Sequence, residues 1–438
     1  MTEWLPMVVL LGGLGIGLIS GFPMAFTLAS SSIVAAWIFI GPQSLPFVAT
    51  NVFGMMSGMI LIAMPLFIFM ACVLEKSGVT HDLYAFMHQL LGGLRGGLSM
   101  GTVLICAIIA AMSGVSTTGV VTMGIIALPI MLKQGYNKSI AIGPILAGGA
   151  LGLLIPPSIS LIVYGMIARV SIGRLFAAGI VPGLILVFLY MSYIGIRSYF
   201  QPHLAPALPP EKRVPLREKI ALAKGLILPI LLITAVLGSI FKGVASPTEA
   251  AAVGAGGALL SAAVNRRLDW QVVKEACYKT MAINGMIMWI LFGAACFTSI
   301  FFRTGGQEVI ADVMLGVANP IYIFAIILVT LIVLGFFLDE ITQIMITVPV
   351  FLPIVVQLGY DPVWFGVLFM TQVQMDYLTP PFGFTLFYMK GVAPPEVSMG
   401  DIYRSIVPFV CIQFAVVLLI LFFPNIVLWL PDVVFGLR

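Results

Sequence analysis

Two proline pairs constrain this chain more than anything else in it. Leu378-Thr379-Pro380-Pro381-Phe382-Gly383 interrupts an apolar segment from Trp364 to Met389, and Leu154-Ile155-Pro156-Pro157-Ser158 interrupts another from Ile140 to Ala168. Consecutive prolines remove two backbone donors, and the first pushes the residue before it out of the helical region. The chain is 61% hydrophobic and only 9% charged, against about 25% charged residues in a soluble domain. Such segments belong in a bilayer, where a broken helix persists only if protein or a wet cavity satisfies its freed carbonyls. Breaks paired at matching positions of two halves point to the binding site of a secondary transporter.

The pairing is part of a longer repeat. An offset of 224 carries Pro156 and Pro157 onto Pro380 and Pro381, Pro129 onto Pro353, Pro23 onto Pro247, and Gly135-Tyr136 onto Gly359-Tyr360. With 28 prolines in 438 residues, chance supplies about one such coincidence at a given offset. The expected organisation is a first repeat over 1–200, a basic linker over 201–224 and a second repeat over 225–438. Each repeat holds about five transmembrane helices and one re-entrant hairpin. The hairpins are expected at about 97–133 and 320–357, and the broken helices at about 140–168 and 364–389. Glu75 to Arg95 and Arg266 to Lys279 read as surface segments, and Ile406–Leu428 reads as the last span.

An odd number of spans inverts the second repeat relative to the first, and charge gives an orientation. With the N-terminus outside, sixteen of the 21 Lys+Arg fall on inner segments, leaving Arg169, Arg174, Lys242, Arg303 and Arg438 outside. The positive-inside rule therefore predicts that both termini are periplasmic. The fold class expected is an all-α polytopic membrane protein with two inverted-topology repeats.

Hairpin tips and helix breaks carry the chemistry. A broken helix exposes carbonyls at one end and N–H groups at the other. Carbonyls with the hydroxyls of Ser113, Ser116, Thr117, Thr118, Ser158 and Thr379 suit a hard cation such as Na+; free N–H ends suit a carboxylate. Gly114, Gly119, Gly152 and Gly383 permit close backbone approach. Acids inside a membrane cost about 2.5–3.5 kcal/mol on insertion scales, which makes Asp339 and Asp376 functional candidates, for a cation or a proton. Glu340 is expected to face water at the hairpin mouth, and Gln372 and Gln374 to bridge helices or meet substrate. Arg169 and Arg174 are expected to be interfacial, with anion attraction or a partner contact as the alternative. The candidate substrate residues are Thr118, Pro157, Gln374, Asp376 and Pro381. The five cysteines lie among apolar neighbours without a CxxC pair, and the three histidines fall in polar surface segments, so no transition-metal site or other cofactor is expected beyond Na+ as the coupling ion.

At these residues the chain resembles the large membrane subunit of TRAP transporters, the tripartite ATP-independent periplasmic systems. The resemblance rests on Ala110-Ala111-Met112-Ser113-Gly114 with its Ser/Thr tip, Leu154-Ile155-Pro156-Pro157-Ser158, Leu334-Gly335-Phe336-Phe337-Leu338-Asp339 and Thr379-Pro380-Pro381-Phe382-Gly383, and covers essentially the full length. It implies a Na+-coupled elevator in a bacterial inner membrane. It also implies a small four-helix Q subunit and a periplasmic substrate-binding protein as partners; no nucleic acid is expected. The cation ligands it implies are Ser113, Gly114, Ser116, Pro156, Ser158, Asp339, Thr342, Thr379 and Gly383, with Thr117 beside them. Gln374-Met375-Asp376-Tyr377 departs from the Asn and small residues common before the second Thr-Pro-Pro, which bears on the second cation site. The run from Phe382 to Glu396 resembles a branch associated with 2-oxo acids, lactate or aromatic acids.

Three functions remain to be separated: a secondary transporter coupled to Na+ or to protons, a passive channel filtered by the hairpins, and an intramembrane enzyme. The last lacks a midplane histidine and an HExxH motif, and its two candidate acids lie on separate segments, so no enzymatic activity is expected.

Overall fold

A computed structural model describes residues 4–209, 211, 215–317, 319–381 and 383–436. Pro210, Lys212 and Arg213 of the expected linker, and Phe382 and Arg438, lie outside the described residues. The described residues form helices and connecting turns, with no strand among them. The first half contains α1 (Leu5–Ile19), α2 (Met24–Phe39), α3 (Leu45–Met56), α4 (Ala63–Lys76), α5 (Val79–Leu91), α6 (Gly97–Ser113), α7 (Ser116–Lys133), α8 (Lys138–Ala150), α9 (Ile159–Ala168) and α10 (Ile172–Phe200). The second contains α11 (Leu216–Phe241), α12 (Pro247–Val264), α13 (Trp270–Arg303), α14 (Gly306–Leu315), α15 (Pro320–Gly335), α16 (Glu340–Gln357), α17 (Pro362–Asp376), α18 (Phe384–Val392), α19 (Met399–Phe422) and α20 (Asn425–Phe435). Among the described residues, six helical stretches are long and apolar enough to cross a membrane, and shorter apolar helices accompany them.

The element order of the second half follows the first. Adding 224 to the bounds of α7 (116 and 133) gives 340 and 357, the bounds of α16. The packing is exchanged between halves: α4 lies on α12 and α13 on α2, while α16 packs on α9 and α7 on α18. Each hairpin's second arm thus touches the broken helix of the other half. Two ion pairs follow the same exchange. Lys138 at the start of α8 bonds Asp401 at the start of α19 at 2.8 Å, and Arg174 near the start of α10 bonds Asp361 just before α17 at 3.2 Å. Half-exposed pairs of this kind contribute about 0–1 kcal/mol.

Helix boundaries have local causes. Asn137, Ser158, Ser171, Asp269, Asn319, Asp339 and Asp361 each cap the helix that follows by accepting from a first-turn N–H. Ser246 with Glu249 and Ser398 with Asp401 form capping boxes at α12 and α19. Each cap satisfies donors the helix leaves unpaired and is worth about 1 kcal/mol. Deep in the fold, Trp364 Nε1 donates to Ile420 O at 2.9 Å, Tyr164 Oη to Pro362 O at 2.7 Å and Gln413 Nε2 to Thr371 O at 3.0 Å. These bonds join α17 to its neighbours and pair the buried polar groups that make them.

Two expectations need correction. Arg266 to Lys279 is not wholly a separate surface segment: from Trp270 it is the start of the 34-residue α13. Lys279 pairs with Glu75 of α4 at 2.7 Å, Arg267 with Asp82 of α5 at 2.7 Å, and Glu275 with Lys76 at 2.6 Å. The charges therefore mark a lateral contact and not a helix end. The last span stops at Phe422, and Pro424 begins a second helix, α20, which packs on α10. A further helix, α3, for which the sequence carries no separate expectation, lies between α2 and α4.

Candidate functional site: a cavity between hairpin tips and broken helices

The α6–α7 turn is closed by Gly114, which sits in the left-handed region at φ +62. Residues with a side chain avoid that conformation by about 1–2 kcal/mol. There is no room for one in any case, because a Cβ on Gly114 would lie 2.4 Å from the carbonyl oxygen of Pro157. The Ile159 N–H donates to Gly114 O at 3.3 Å. The first hairpin tip is thereby seated directly on the first helix break. Gly152 repeats this closeness, its missing Cβ lying 2.8 Å from the backbone of Val115. Ser158 Oγ donates to Leu153 O at 2.8 Å and accepts from Leu161 N–H, bridging the two arms of the break.

The second tip is built by a carboxylate. Asp339 Oδ2 accepts from the N–H groups of Ile341 and Thr342 at 3.1 and 3.3 Å, and Thr342 Oγ1 donates to Asp339 Oδ1. The Glu340 N–H donates to Tyr377 Oη at 3.3 Å, so this tip is tied to the arm leading into the second break. Within that break Thr379 Oγ1 donates to Met375 O at 2.7 Å and Thr385 Oγ1 to Tyr377 O at 2.6 Å. Both Pro–Pro peptide bonds, 156–157 and 380–381, are cis.

These parts meet around one cavity of ≈ 250 Å³. Gly114, Ser116 and Thr117 line it from the first tip, Asp339 and Glu340 from the second, Ile159 from the first break, and Tyr377 and Phe384 from the second. The remaining wall is α13, through Ile283, Met286, Ile287 and Ile290. Two helices present N-termini here without a side-chain cap: α7, beginning at Ser116, and α18, beginning at Phe384. The positive ends of two helix dipoles, with first-turn N–H groups of α7, therefore face the same space as the Asp339 carboxylate and the tip hydroxyls; at α18 the Thr385 and Leu386 N–H groups already donate to Tyr377 O and Gly383 O. An anion and a cation can both be held there, each by groups of opposite sign.

Some of the candidate residues lie elsewhere. Ser113, Pro156, Pro157 and Ser158 are buried beneath the first tip, and Thr342, also buried, supports Asp339. Gly383 is the N-cap of α18, and Thr379 is half-buried with its hydroxyl committed to Met375. Thr118 does not line the cavity, and Pro381 is exposed at the outside of its break. Gln374 is fully buried away from the cavity lining, and neither of its amide atoms has a hydrogen-bond partner among the described residues. Asp376 is buried on α17, where Gln372 Nε2 donates to its Oδ1 at 2.9 Å. Gly335 stands opposite; a Cβ there would lie 2.4 Å from Asp376 Oδ2, which has no hydrogen-bond partner among the described residues. Glu340, expected at the hairpin mouth, lines this cavity beside Asp339. Tyr377 and Tyr388, both lining the cavity, carried no signal in the sequence beyond lying next to the break.

Residues 11–426 match the family model described as "Tripartite ATP-independent periplasmic transporter, DctM component". The chain belongs to the DctM family of TRAP transporter large permeases. It is 31% identical over 453 residues to the C4-dicarboxylate TRAP transporter large permease protein DctM of Vibrio cholerae, covering 98% of each chain. It is 32% identical over 444 residues to the ectoine/5-hydroxyectoine TRAP transporter large permease protein UehC of Ruegeria pomeroyi, covering 99% of each. Its fold is also that of the Alcanivorax borkumensis YdaH transporter, with a TM-score of 0.66 over 92% of this chain and 97% of that one at 16% identity. This TRAP permease is a multi-pass membrane transport protein and not an enzyme.

Proposed function

We propose that this TRAP permease drives Na+-coupled uptake of a small organic acid across the bacterial inner membrane by an elevator motion. The observation that carries the reading is the single cavity that both hairpin tips and both broken helices share against α13. Cations are assigned to the tip carbonyls and hydroxyls around Ser113, Gly114, Ser116, Thr117, Pro156 and Ser158, and to Asp339 with Thr342, Thr379 and Gly383. The substrate carboxylate is assigned to the uncapped N-termini of α7 and α18, where a negative charge is favoured by about 0.3–1 kcal/mol at each helix end, and more when partly buried. The halves are read as inverted repeats with periplasmic termini. A small Q subunit would flank the permease, and a periplasmic binding protein would deliver the substrate. C4-dicarboxylates, handled by the Vibrio cholerae relative, and the 2-oxo acids, lactate and aromatic acids implied by the Phe382–Glu396 run are the substrate classes to try first.

Reconstituted with its Q subunit and loaded binding protein, the permease is expected to accumulate substrate under an inward Na+ gradient. Uptake is expected to fall to background when K+ replaces Na+; equal uptake in Na+-free buffer would remove the coupling. One observation favours a proton-coupled variant, namely the Asp376 carboxyl buried with an unpartnered oxygen and in none of the ion pairs of the described residues. In the same assay that variant would sustain uptake on a pH gradient alone. A passive channel would show no accumulation under either gradient.

A further inference from the structure

A second cavity, of ≈ 460 Å³, lies further along α13 and differs in charge from the first. The first cavity touches α13 between Ile283 and Ile290; the second touches it between Ala295 and Arg303. The first is lined by Asp339 and Glu340, whereas the second is lined by Arg169 and Arg303 and by no acid. We propose that Arg169 and Arg303 form an anion-binding vestibule, which receives the carboxylate of the substrate at the C-terminal end of α13, whereas the main cavity lies against the middle of that helix. The assignment to substrate rests on the transport reading above; the anion site does not.

The state of the two arginines supports this. Arg303 Cζ lies 3.3 Å from the centroid of the Phe47 ring. Stacking occupies the face of a guanidinium and leaves the N–H groups along its edge free, and that edge takes a carboxylate through two parallel bonds. Among the described residues neither arginine has an acidic or hydrogen-bonding partner for its side chain. Arg169 sits at φ +54 as the last residue of the α9 cap, a position that favours glycine, yet it places a long cationic side chain in the cavity wall. Asn51 and Ser299, bonded to one another at 2.7 Å, add neutral polar groups to the same wall.

The vestibule also lies between parts that the transport reading sets in relative motion. Phe47, Asn51 and Arg303 come from α3 and α13, whereas Arg169 follows α9 and Met345 lies on α16. Between the midpoints of the two stretches of α13 there are about 12 residues, or roughly 19 Å at 1.5 Å per residue. An anion held at Arg303 would be close to where the tips of α7 and α16 arrive once the main cavity has moved that distance.

The test places a reporter cysteine at Asn51 in the full chain, with the exposed Cys277 and Cys411 changed to Ser. Its labelling rates are compared for an anionic and a cationic methanethiosulfonate of similar size. The anionic reagent is expected to be favoured, and the ratio to fall about tenfold in the Arg169→Gln/Arg303→Gln double variant, as removal of two nearby cations requires. Succinate or pyruvate at 20 mM, against chloride at equal ionic strength, is expected to slow labelling about threefold with the arginines present and not without them. Thermal unfolding of the two backgrounds is measured alongside, and a variant with an altered melting temperature is replaced by Arg303→Gln alone. An unchanged reagent ratio overturns the anion site and means that the arginines serve only the helix ends. A fallen ratio without carboxylate protection overturns the assignment to substrate. No step of the readout depends on uptake, so absence of Na+-driven transport would fail the transport reading alone.

Discussion

Gly114→Ala is expected to reduce Na+-driven uptake at least about a hundredfold. The added methyl meets backbone on the other side, the Pro157 carbonyl at 2.4 Å, and backbone cannot move aside as a flexible side chain does. The left-handed φ of +62 adds its own cost of about 1–2 kcal/mol. Relief requires the hairpin tip to lift from the break, which pulls on the Ile159–Gly114 hydrogen bond and separates the carbonyls and hydroxyls assigned to one cation. Such a change leaves most of the fold in place while displacing the site by the order of an ångström, which is enough to lose a preorganised ligand set. Gly391→Ala is the control, since a Cβ there meets nothing within 4 Å. Initial uptake rates and melting temperatures of both variants in the same reconstituted system check the prediction. A Gly114→Ala permease with wild-type uptake would detach the tip–break contact from function.

Asp339 has two roles that substitution can separate. Asn at this position can still accept from the Ile341 and Thr342 N–H groups, so the α16 cap survives and stability is expected to stay within about 0.5 kcal/mol. Ala removes the cap as well and is expected to cost about 1 kcal/mol. Uptake is expected to fall about a hundredfold or more in both, with the half-saturating Na+ concentration raised in Asp339→Asn. The charge, not the cap, is what the proposed cation site requires. Urea or thermal unfolding together with Na+ titration of uptake distinguishes the two roles. Uptake that follows stability, lost in Ala and kept in Asn, would make Asp339 a structural cap alone.

The sequence is informative where physical chemistry is local. The apolar runs around Ser113–Gly119 and Leu338–Gln343 end at small or acidic residues, and helices α6, α7, α15 and α16 stop or start there. The Pro–Pro pairs likewise fall between α8 and α9 and between α17 and α18. What could not be read depends on partners far away in the chain. The charges of Lys274 and Lys279 suggest a surface segment until Glu75 is seen across from Lys279. Pro424 lies in an apolar run, so hydropathy continues through a place where the helix stops. Arg169 and Arg303 are 134 positions apart and share a cavity only because α9 and α13 converge. Asp376 drew attention as an acid near the break, but its distance from the cavity follows from α17 packing Gly335 against it.

The account stands most directly on whether the cavity moves against α13. Ile287 lines it from α13 and Tyr388 from α18. In a permease with Ile287→Cys and Tyr388→Cys, joining the two thiols with a short bifunctional reagent is predicted to stop uptake, and a cleavable reagent to restore it on reduction. Full uptake by the joined protein would mean that nothing travels along α13, and would contradict the account.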